Sequence, residues 1–331
     1  MFPDYGIFTI SIDFELYWGV RDKKSINQYK DHLQGVWNAI PEILRLFSEN
    51  NIHATWAIVG FLYHNNVSDL KQNLPNNLPN YTNDKRSPYP YINNSDDLEN
   101  RYHFAPNLIE LIKKCEGQEI GTHTYSHYYC LENGQDIGDF RDDLSKAIEV
   151  AKIKNNIDIK SLVFPRNQCN QQYLPALRNL GLQCYRGNEM NWISKTGNVQ
   201  SKLQRALRLV DSYINISGHN LHDLHDCIKE TPYNFPASRF LRPHSNLLEF
   251  LEPFRLQRIQ QSMTHGAVHK KIFHLWWHPH NFGTNTAKNI EFLENVIKHF
   301  SMLQTKFGMR SLSMAEMCNL SNFVTLDENK N

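Results

Sequence analysis

Two histidines separated by three residues are the most specific chemical signal in the sequence. His123 and His127 form an HxxxH pair, and on the first turn of a helix side chains four residues apart share a face and can bind one metal ion. Asp13 and Glu15 are two residues apart, so at the end of a strand they point the same way. Taken alone, His123 and His127 could be surface or capping histidines, and Asp13 and Glu15 could be two solvated acids.

Three further polar residues complete a set that could do chemistry. Arg166 alone is most simply an ion-pair partner, and His278-Pro279-His280 alone could be a structural turn. Two imidazoles and one carboxylate, however, leave open positions for water on a divalent ion, which is the pattern of a catalytic site rather than a closed structural one. A second carboxylate beside the metal would serve as a base, and a histidine on another strand end as an acid.

Each of these polar residues follows a segment whose apolar pattern predicts a buried strand. The strands that precede them cover residues 7–12, 118–122, 161–164 and 271–277. Further strands are predicted at 53–60, 182–185, 207–210 and 308–312. Helices are predicted over about 33–49, 106–115, 139–154, 170–180, 247–262 and 286–304. The alternation predicts an α/β fold with a parallel sheet, closed into a barrel or left open, whose active site lies where the carboxyl ends of the strands meet.

Two stretches interrupt this alternation. Residues 65–101 are rich in Asn, Pro, Ser and Asp with little apolar periodicity, which predicts a long surface excursion. Residues 211–246 are predicted to be an irregular loop. The sequence contains no internal repeat and no clear linker, so we expect residues 1–331 to form one barrel domain with these two insertions.

The composition excludes several classes of function. The 331 residues carry 35 Lys and Arg against 34 Asp and Glu, a net charge of +1 that gives no support for a nucleic-acid partner. No apolar run approaches the roughly 20 residues that a transmembrane helix needs. The first residues have no basic region followed by a long apolar stretch, so a secretory signal is not expected. The six cysteines form no CxxC pair and are expected to be reduced thiols of a cytoplasmic protein.

The ordered set of segments resembles the polysaccharide deacetylases, also called the NodB-homology group or carbohydrate esterase family 4. The resemblance extends over about residues 7–315, and the segment 119–127 matches most specifically. The similar segments are residues 11–15, 54–60, 119–127, 164–166 and 275–279. The resemblance implies a distorted (β/α) barrel, commonly with seven strands, that removes acetyl groups from sugars with a divalent metal ion, for which we expect Zn²⁺.

The resemblance also implies a role for each candidate residue. Asp13 would be the general base and His278 the acid, with His280 as the alternative acid. Arg166 would orient Asp13. The metal ligands would be Glu15, His123 and His127.

The sequence departs from the family pattern at three points. The first motif usually has two adjacent aspartates, whereas Phe14 separates the two acids here. In the usual arginine motif, Pro and Gly follow the Arg closely, but here Pro165 precedes it. An Asp-Trp pair has no clean match, and the candidates for it are Asn191-Trp192 and Asp211.

Four residues are predicted to contact substrate. Trp18 and Trp192 lie beyond strand ends and are candidates for stacking on a sugar ring, whereas Trp276 and Trp277 lie within a strand, where packing is at least as good an explanation. Arg242 could contact an acidic sugar or a diphosphate, with surface ion pairing as the default, and His280 completes the set.

We therefore expect a metal-dependent deacetylase acting on the acetamide of an N-acetylated sugar or glycan. A nucleotide-sugar or lipid-linked intermediate of O-antigen-type or capsule-type polysaccharide biosynthesis fits a cytoplasmic protein better than an extracellular polymer does. Two alternatives remain open at this point: a hydrolase of another, cyclic amide, and a barrel that binds glycan without catalysis. The sequence predicts no particular oligomeric state.

Overall fold

A single parallel sheet organises the molecule. The computed structural model describes residues 3–193 and 202–320. Within these residues the strands pair in the order β6-β5-β4-β3-β2-β1-β8-β7, with β9 also beside β1, and all of these pairs are parallel. The strands are β1 Ile7–Phe14, β2 Ala54–Ile58, β3 Gln118–Thr122, β4 Ser161–Val163, β5 Cys184–Arg186, β6 Tyr233–Asn234, β7 Arg239–Phe240, β8 Ile272–Trp277 and β9 Arg310–Ser311.

Helices follow most of the strands and cover the outside of the sheet. The longest is α1, whose N-terminus is closed by a capping box between Ser25 and Gln28. The helices are α1 Ile26–Glu49, α2 Val67–Lys71, α3 Tyr89–Asn93, α4 Asn100–His103, α5 Pro106–Lys114, α6 Ile137–Asn155, α7 Leu174–Asn179, α8 Lys202–Asp211, α9 Leu224–Cys227, α10 Glu252–Val268 and α11 Thr286–Phe307. A last helix covers 314–320.

One chain segment, residues 233–241, brings the two edges of the sheet together. Its first part hydrogen-bonds to β5 and the residues after it, where the N–H of Ala237 donates to the carbonyl of Gly187 at 3.0 Å. The next residue, Ser238, donates its N–H to the carbonyl of His274 in β8 at 2.8 Å. Strands β6 and β7 are therefore two ends of one bent segment. Counting it once gives a distorted barrel of seven strands, as the resemblance implies, with β9 as an eighth strand beside β1.

Strand β1 carries polar side chains into this barrel and apolar ones to the outside. All eight of its residues are buried, as in a strand covered on both faces. Ser11 lies inside, because its hydroxyl contacts both Arg186 and His274 at 2.9 Å. Asp13 has the same orientation, two residues further on. The alternation thus places Asp13 at the carboxyl end of the barrel interior.

A close contact between two glycines holds α1 against the turn that follows β8. A Cβ atom at Gly35 would lie 1.8 Å from the carbonyl oxygen of Gly283, so no larger residue fits there without moving the turn. Gly283 lies two residues after the 3₁₀ turn Pro279–Asn281, which contains His280. The α1 packing therefore positions one of the candidate site residues.

Three sequence-based expectations about elements are corrected. Residues 207–210, expected as a strand, lie in α8, because a short apolar run does not by itself distinguish a strand from a helix. The excursion at 65–101 contains α2 and α3 and leads into α4. The stretch at 211–246 is not simply irregular, since it supplies β6, β7 and α9. In neither described range is there a helix long and apolar enough to cross a membrane.

Candidate active site

The candidate residues converge at the carboxyl ends of the strands, as the sequence predicts. Asp13 and Glu15 lie at the end of β1, and His123 immediately follows β3. His278 follows β8. All of these side chains except His278 are almost completely buried, with at most 4% of each residue exposed. The barrel interior thus ends in a dense group of titratable side chains.

Three of these side chains form a compact group of potential metal ligands. The Nε2 atom of His127 lies 3.0 Å from Oε2 of Glu15, and the Nε2 atom of His123 lies 3.4 Å from the same oxygen. One ligand atom from each residue can be chosen so that all three lie within 4.8 Å of one another. Among the described residues this is the one group of three or more His, Cys, Asp or Glu residues with that property.

The loop that carries the two histidines is not the helical turn that the HxxxH spacing suggested. Thr124 and His127 both have positive φ values, of 63° and 60°, so the imidazoles converge through a left-handed loop rather than along one helix face. Asp143 on α6 supports this loop from below, where its carboxylate accepts the N–H groups of Tyr125 at 2.7 Å and Ser126 at 3.1 Å. The Ser126 hydroxyl donates to the same carboxylate.

The protonation pattern of His123 fits a metal ligand. Its Nδ1 atom lies 2.8 Å from the carbonyl oxygen of Val163, which can only accept, so Nδ1 carries the proton and Nε2 keeps its lone pair. This Nε2 atom is buried and makes no hydrogen bond within the described residues. A buried lone pair directed at a carboxylate is unfavourable unless a cation lies between them.

The other two members also fit a divalent cation. Burial lowers the pKa of His127 to about 4, despite the nearby Glu15 carboxylate, so its imidazole is neutral at pH 7. Burial alone would raise the pKa of Glu15, but the neighbouring His278 and His127 lower it well below its ordinary value. Two imidazole nitrogens and one carboxylate oxygen are a donor set that suits Zn²⁺ and similar ions.

Asp13 is held by an arginine that the sequence analysis did not select. Arg186, the last residue of β5, donates to the two carboxylate oxygens of Asp13 at 2.7 and 2.8 Å. It also donates to Asn167 at 3.0 Å, and its guanidinium lies 4.3 Å from the centre of the Trp276 ring. Burial would raise the pKa of Asp13, but Arg186, His123 and His278 together outweigh burial and lower it, so the carboxyl is ionised.

Arg166, expected to orient Asp13, pairs instead with Asp22 and lies 4.6 Å from the centre of the Tyr129 ring. The turn after β4 places Arg166 in a left-handed conformation, with φ of 53°. The signal for Arg186 was present in the sequence, because it directly follows the predicted strand 182–185. The rule that selected the other residues, a polar side chain at a strand end, would also have selected this one.

The two histidines after β8 differ in their access to the cleft. The side chain of His278 is 22% exposed, and its Nε2 atom lies 3.8 Å from Oδ2 of Asp13 and 3.7 Å from Oε1 of Glu15. The side chain of His280 is 5% exposed and lies behind it, with Nδ1 3.9 Å from Glu15. Burial lowers the pKa of His280 to about 3. Of the two, His278 is the one whose position favours contact with a substrate.

A cavity of about 320 Å³ opens beside His278. Its lining residues come from the strand ends, from the start of the segment after β5 and from α8. They are Arg166, Asn167, Asn188, Glu189, Asn191, Ile193, Arg208, Asp211, Ser212, Ala237, Arg239, Phe240, Arg242, Trp276 and His278. Of the candidates for the missing Asp-Trp motif, Asp211 lines this cavity, as does Asn191 of the pair Asn191-Trp192.

The expected substrate contacts are only partly found in this cavity. Arg242 lines it, but His280 and Trp192 do not, although Trp192 is 59% exposed. Trp18 is buried in the core, where its indole N–H donates to the carbonyl of His103 at 2.7 Å, so it is not available for sugar stacking. Trp276 lines the cavity, whereas Trp277 is fully buried.

Fold and site together define a parallel (β/α) barrel with a candidate divalent-metal centre at the carboxyl ends of its strands. Residues 22–185 match the family model described as polysaccharide deacetylase. Over these residues the chain belongs to the polysaccharide deacetylase family, and the resemblance read from its motifs is confirmed. The matched region includes His123 and His127, whereas Asp13, Glu15, Arg186 and His278 lie outside it and are brought to the site by the fold.

Solved structures support the fold but not a particular reaction. A candidate polysaccharide deacetylase from Mycobacterium smegmatis has a TM-score of 0.58 and 11% sequence identity, covering 96% of this chain and 91% of that chain. A 4-α-glucanotransferase from Thermococcus litoralis has a TM-score of 0.53 and 11% identity, covering 96% of this chain and 40% of that chain. Similarity at this identity shows the fold alone. No curated protein matches the sequence significantly.

Proposed function

We propose that this protein hydrolyses the acetamide of an N-acetylated sugar or glycan intermediate with the help of a divalent metal ion, for which Zn²⁺ is the expected metal. The observation that carries this proposal is the buried group of Glu15, His123 and His127 beside the ion pair of Asp13 and Arg186. Membership of the polysaccharide deacetylase family supports the same reaction class.

Glu15, His123 and His127 would hold the metal ion through one carboxylate oxygen and two imidazole nitrogens. When bound, such an ion polarises a carbonyl group and lowers the pKa of water, from about 16 in bulk to about 7 in favourable sites. The three protein ligands leave further positions of the ion open, as catalytic rather than structural sites do.

Asp13 is suited to accept the proton of the attacking water. It is ionised, and the two hydrogen bonds from Arg186 fix the directions of its oxygens. Arg186 is in turn held by Ser11 and Asn167, so the carboxylate is positioned before substrate arrives. A lowered pKa also makes Asp13 a weak base, so the attacking water must itself have a lowered pKa. A metal ion held by the adjacent ligands would have this effect.

His278 is suited to protonate the departing amine. An amide anion is too poor a leaving group to depart without a proton. His278 lies between the acidic pair and the cavity, and its Nδ1 atom is 3.2 Å from Oδ1 of Asn281, which orients the ring. With Nδ1 donating to Asn281, Nε2 faces Asp13 and Glu15 and is the atom that would exchange the proton.

We extend the proposal to the setting that the sequence favours. The substrate would be a nucleotide-sugar or lipid-linked intermediate of surface polysaccharide biosynthesis of the O-antigen or capsule type, and the protein would act in the cytoplasm. We also propose that residues 1–331 form one barrel domain. The volume of the cavity beside His278 supports a small substrate group rather than a long polymer.

The test is mass spectrometry of acetylated sugars before and after incubation with the Zn²⁺-loaded protein. We expect the loss of one acetyl unit, which disappears after treatment with a chelator and returns with added metal. Asp13→Asn should retain the metal and lose at least about a hundredfold in rate, the lower end for removal of an acid–base group. Full activity of Asp13→Asn would rule out the assignment.

His123→Ala provides the contrasting variant. It removes one of the three candidate ligands, so elemental analysis of the purified protein should find little bound metal. A protein that binds metal but releases no acetyl from N-acetylated or O-acetylated sugars, and no product from cyclic amides, would contradict the proposed reaction class.

A further inference from the structure

The cavity beside His278 contains more positive than negative charge. Four arginines line it, Arg166, Arg208, Arg239 and Arg242, against the two carboxylates of Glu189 and Asp211. Because Arg166 pairs with Asp22, the other lining residues carry one excess positive charge, and Arg258, which shares Asp211 with Arg239, adds a second. An arginine side chain stays protonated in proteins, so this excess is permanent.

Two of these guanidinium groups have buried N–H groups with no acceptor among the described residues. They are the Nε and Nη2 atoms of Arg208 and the same two atoms of Arg239. Arg239 is only 7% exposed, so water does not readily replace the missing acceptors. A buried charged donor without a partner is costly, and both side chains line the cavity. An anion in the cavity would lie beside these two guanidinium groups and help to balance their charge.

The acids present do not balance this charge. Asp211 is already engaged, because it accepts Nη1 of Arg239 at 3.1 Å and the N–H and hydroxyl of Ser217 at 2.7 and 2.8 Å. Arg258 approaches the same carboxylate at 3.7 Å from outside the cavity lining. Arg239 and Arg258 thus share one carboxylate, and Glu189 is the other acid that lines the cavity, so the four cations Arg208, Arg239, Arg242 and Arg258 face two carboxylates.

Burial, and for Arg258 also a neighbouring charge, disfavours the protonated form of the cations around the cavity. Burial, followed by the charge of Arg239, lowers the pKa of Arg258 to about 10. Burial also lowers the pKa of Arg242. Positive charges held this close together destabilise one another, and an anion placed between them would relieve the repulsion.

The position of the cavity connects the arginines to the reacting groups. His278 belongs to its lining, and its Nε2 atom lies 3.8 Å from Asp13. A volume of about 320 Å³ is at the lower end of small-ligand pockets, about 300 to 1,000 Å³. An anion bound by the arginines would therefore belong to the same molecule as the amide that is cleaved.

We infer that the substrate carries a phosphate or diphosphate group and that Arg208, Arg239 and Arg242 bind it in the cavity beside His278. This inference rests on the proposed deacetylation and specifies its substrate class. The forked guanidinium groups match phosphate oxygens in pairs, and the excess of two positive charges matches a phosphate monoester or a diphosphate better than a single sugar carboxylate.

The first experiment measures binding without catalysis. Inorganic pyrophosphate is titrated into the chelator-treated protein by calorimetry, so that no metal ion can bind the probe. We expect binding that weakens about tenfold or more in Arg208→Gln and in Arg242→Gln, the usual effect of losing a charge-assisted hydrogen bond. Arg239 is not substituted because it also holds Asp211.

Arg205→Gln is the matched control. This arginine lies on α8 with Arg208 but is exposed and does not line the cavity, so its loss should leave binding nearly unchanged. An equal loss in all three variants would mean a general charge effect and would overturn the inference, as would glucuronate binding as tightly as pyrophosphate. Circular dichroism establishes that each variant is folded, and Arg242→Lys should recover part of the binding because it restores the charge.

The second experiment compares turnover of three acetylated sugars by the metal-loaded protein. N-acetylglucosamine 1-phosphate and UDP-N-acetylglucosamine distinguish a phosphate from a diphosphate, and methyl N-acetylglucosaminide is the neutral reference. A higher kcat/KM for either anionic sugar, lost in Arg242→Gln, supports the inference. Equal turnover of the neutral sugar, without pyrophosphate binding, overturns it and leaves the deacetylase proposal intact. Pyrophosphate binding that depends on these arginines, without release of acetyl from any sugar, would support the phosphate site and contradict the deacetylase proposal.

Discussion

At the scale of single residues, the main distinction is between two arginines that follow neighbouring strands. Arg186 makes two hydrogen bonds to the buried carboxylate of Asp13, whereas Arg166 pairs with Asp22 further along the same rim. Both guanidinium groups lie at strand ends, but only the one on β5 faces β1 across the barrel interior. Position after a strand does not distinguish the two arginines, but their partners do. Arg186 positions the candidate base Asp13, whereas Arg166 pairs with Asp22.

This distinction gives a paired prediction. Arg186→Lys replaces a two-pronged contact with a single point charge, so Asp13 keeps its charge but loses its fixed orientation. We expect kcat for acetyl release to fall by about tenfold or more, since one charge-assisted hydrogen bond contributes about 1.5–3 kcal/mol. KM and metal content should change little. Steady-state kinetics and elemental analysis are the measurements.

Arg166→Lys is the companion variant, because it makes the same chemical change at the other arginine. Its partner Asp22 is outside the group of Asp13, Glu15 and the two loop histidines. We expect kcat to fall less than threefold at this position. A loss of kcat in Arg166→Lys that equals the loss in Arg186→Lys would contradict the assignment of Asp13 to Arg186.

At the scale of elements, the histidine loop depends on a residue that belongs to another element. Asp143 on α6 accepts the N–H groups of Tyr125 and Ser126 and the hydroxyl of Ser126. The loop itself has two left-handed residues, Thr124 and His127, which are unfavourable unless the surroundings hold them. The geometry of the two imidazoles is therefore maintained by α6.

Removal of this support should weaken metal binding without touching a ligand. For Asp143→Ala we expect Zn²⁺ affinity to fall about 10- to 100-fold, as is usual for groups that orient metal ligands. Asp143→Asn keeps one acceptor oxygen and should lie between Asp143→Ala and the wild type. Competition with a chelator of known affinity gives the values.

Asp142→Ala is the matched control for this element. Asp142 is the preceding residue on α6, and its Oδ2 atom accepts a hydrogen bond from Nδ2 of Asn77 at the exposed surface, at 2.5 Å. Its substitution should leave Zn²⁺ affinity unchanged within twofold. If Asp142→Ala and Asp143→Ala weaken Zn²⁺ to the same extent, the effect comes from α6 as a whole and not from the carboxylate under the loop.

Local patterns predicted most of these elements and the convergence of the site. Apolar residues at three- and four-residue spacing predicted a helix at 33–49 within the observed Ile26–Glu49, and the polar residues after β1, β3 and β8 do meet at one rim. These features depend on residues that are close to one another in the sequence, so local patterns can predict them.

The errors concern contacts between distant parts of the chain. Arg186 and Asp13 are 173 residues apart, and no spacing rule relates them. Trp18 follows a strand end as a sugar-contact residue would, yet its ring centre lies 4.8 Å from that of Phe61. The short 3₁₀ helix Leu16–Gly19 after β1 directs this side chain into the core. Which of several plausible polar or aromatic residues meets the site is decided by tertiary packing.

At the scale of the whole molecule, a buried histidine ties the excursion at 65–101 to the barrel. His103 is 1% exposed, its Nδ1 atom lies 2.9 Å from the carbonyl of Glu99, and its Nε2 atom lies 2.9 Å from the hydroxyl of Tyr91. Its own carbonyl accepts the indole N–H of Trp18. Burial lowers the pKa of His103 to about 4, so the folded protein holds this ring neutral.

This depressed pKa makes the stability of the fold dependent on pH. The unfolded chain binds a proton at His103 near pH 6.5, whereas the folded protein does so only near pH 4, so stability falls as the pH falls from 6.5 to 4. From pH 7 to pH 5 this histidine should account for a loss of about 2 kcal/mol in the free energy of unfolding. Urea unfolding at both pH values, with a chelator present, measures it.

The prediction is made for the difference between the wild type and His103→Gln, because other groups titrate in the same range. Burial raises the pKa of Asp143 to about 7, and that group stabilises the fold as the pH falls. His53 also opposes the effect, since its hydrogen bond to Glu316 raises its pKa. Glutamine keeps a polar side chain of similar size but cannot titrate. Between pH 7 and pH 5 the variant should therefore lose less stability than the wild type, whatever its stability at pH 7. Equal losses would mean that His103 is protonated in the folded protein.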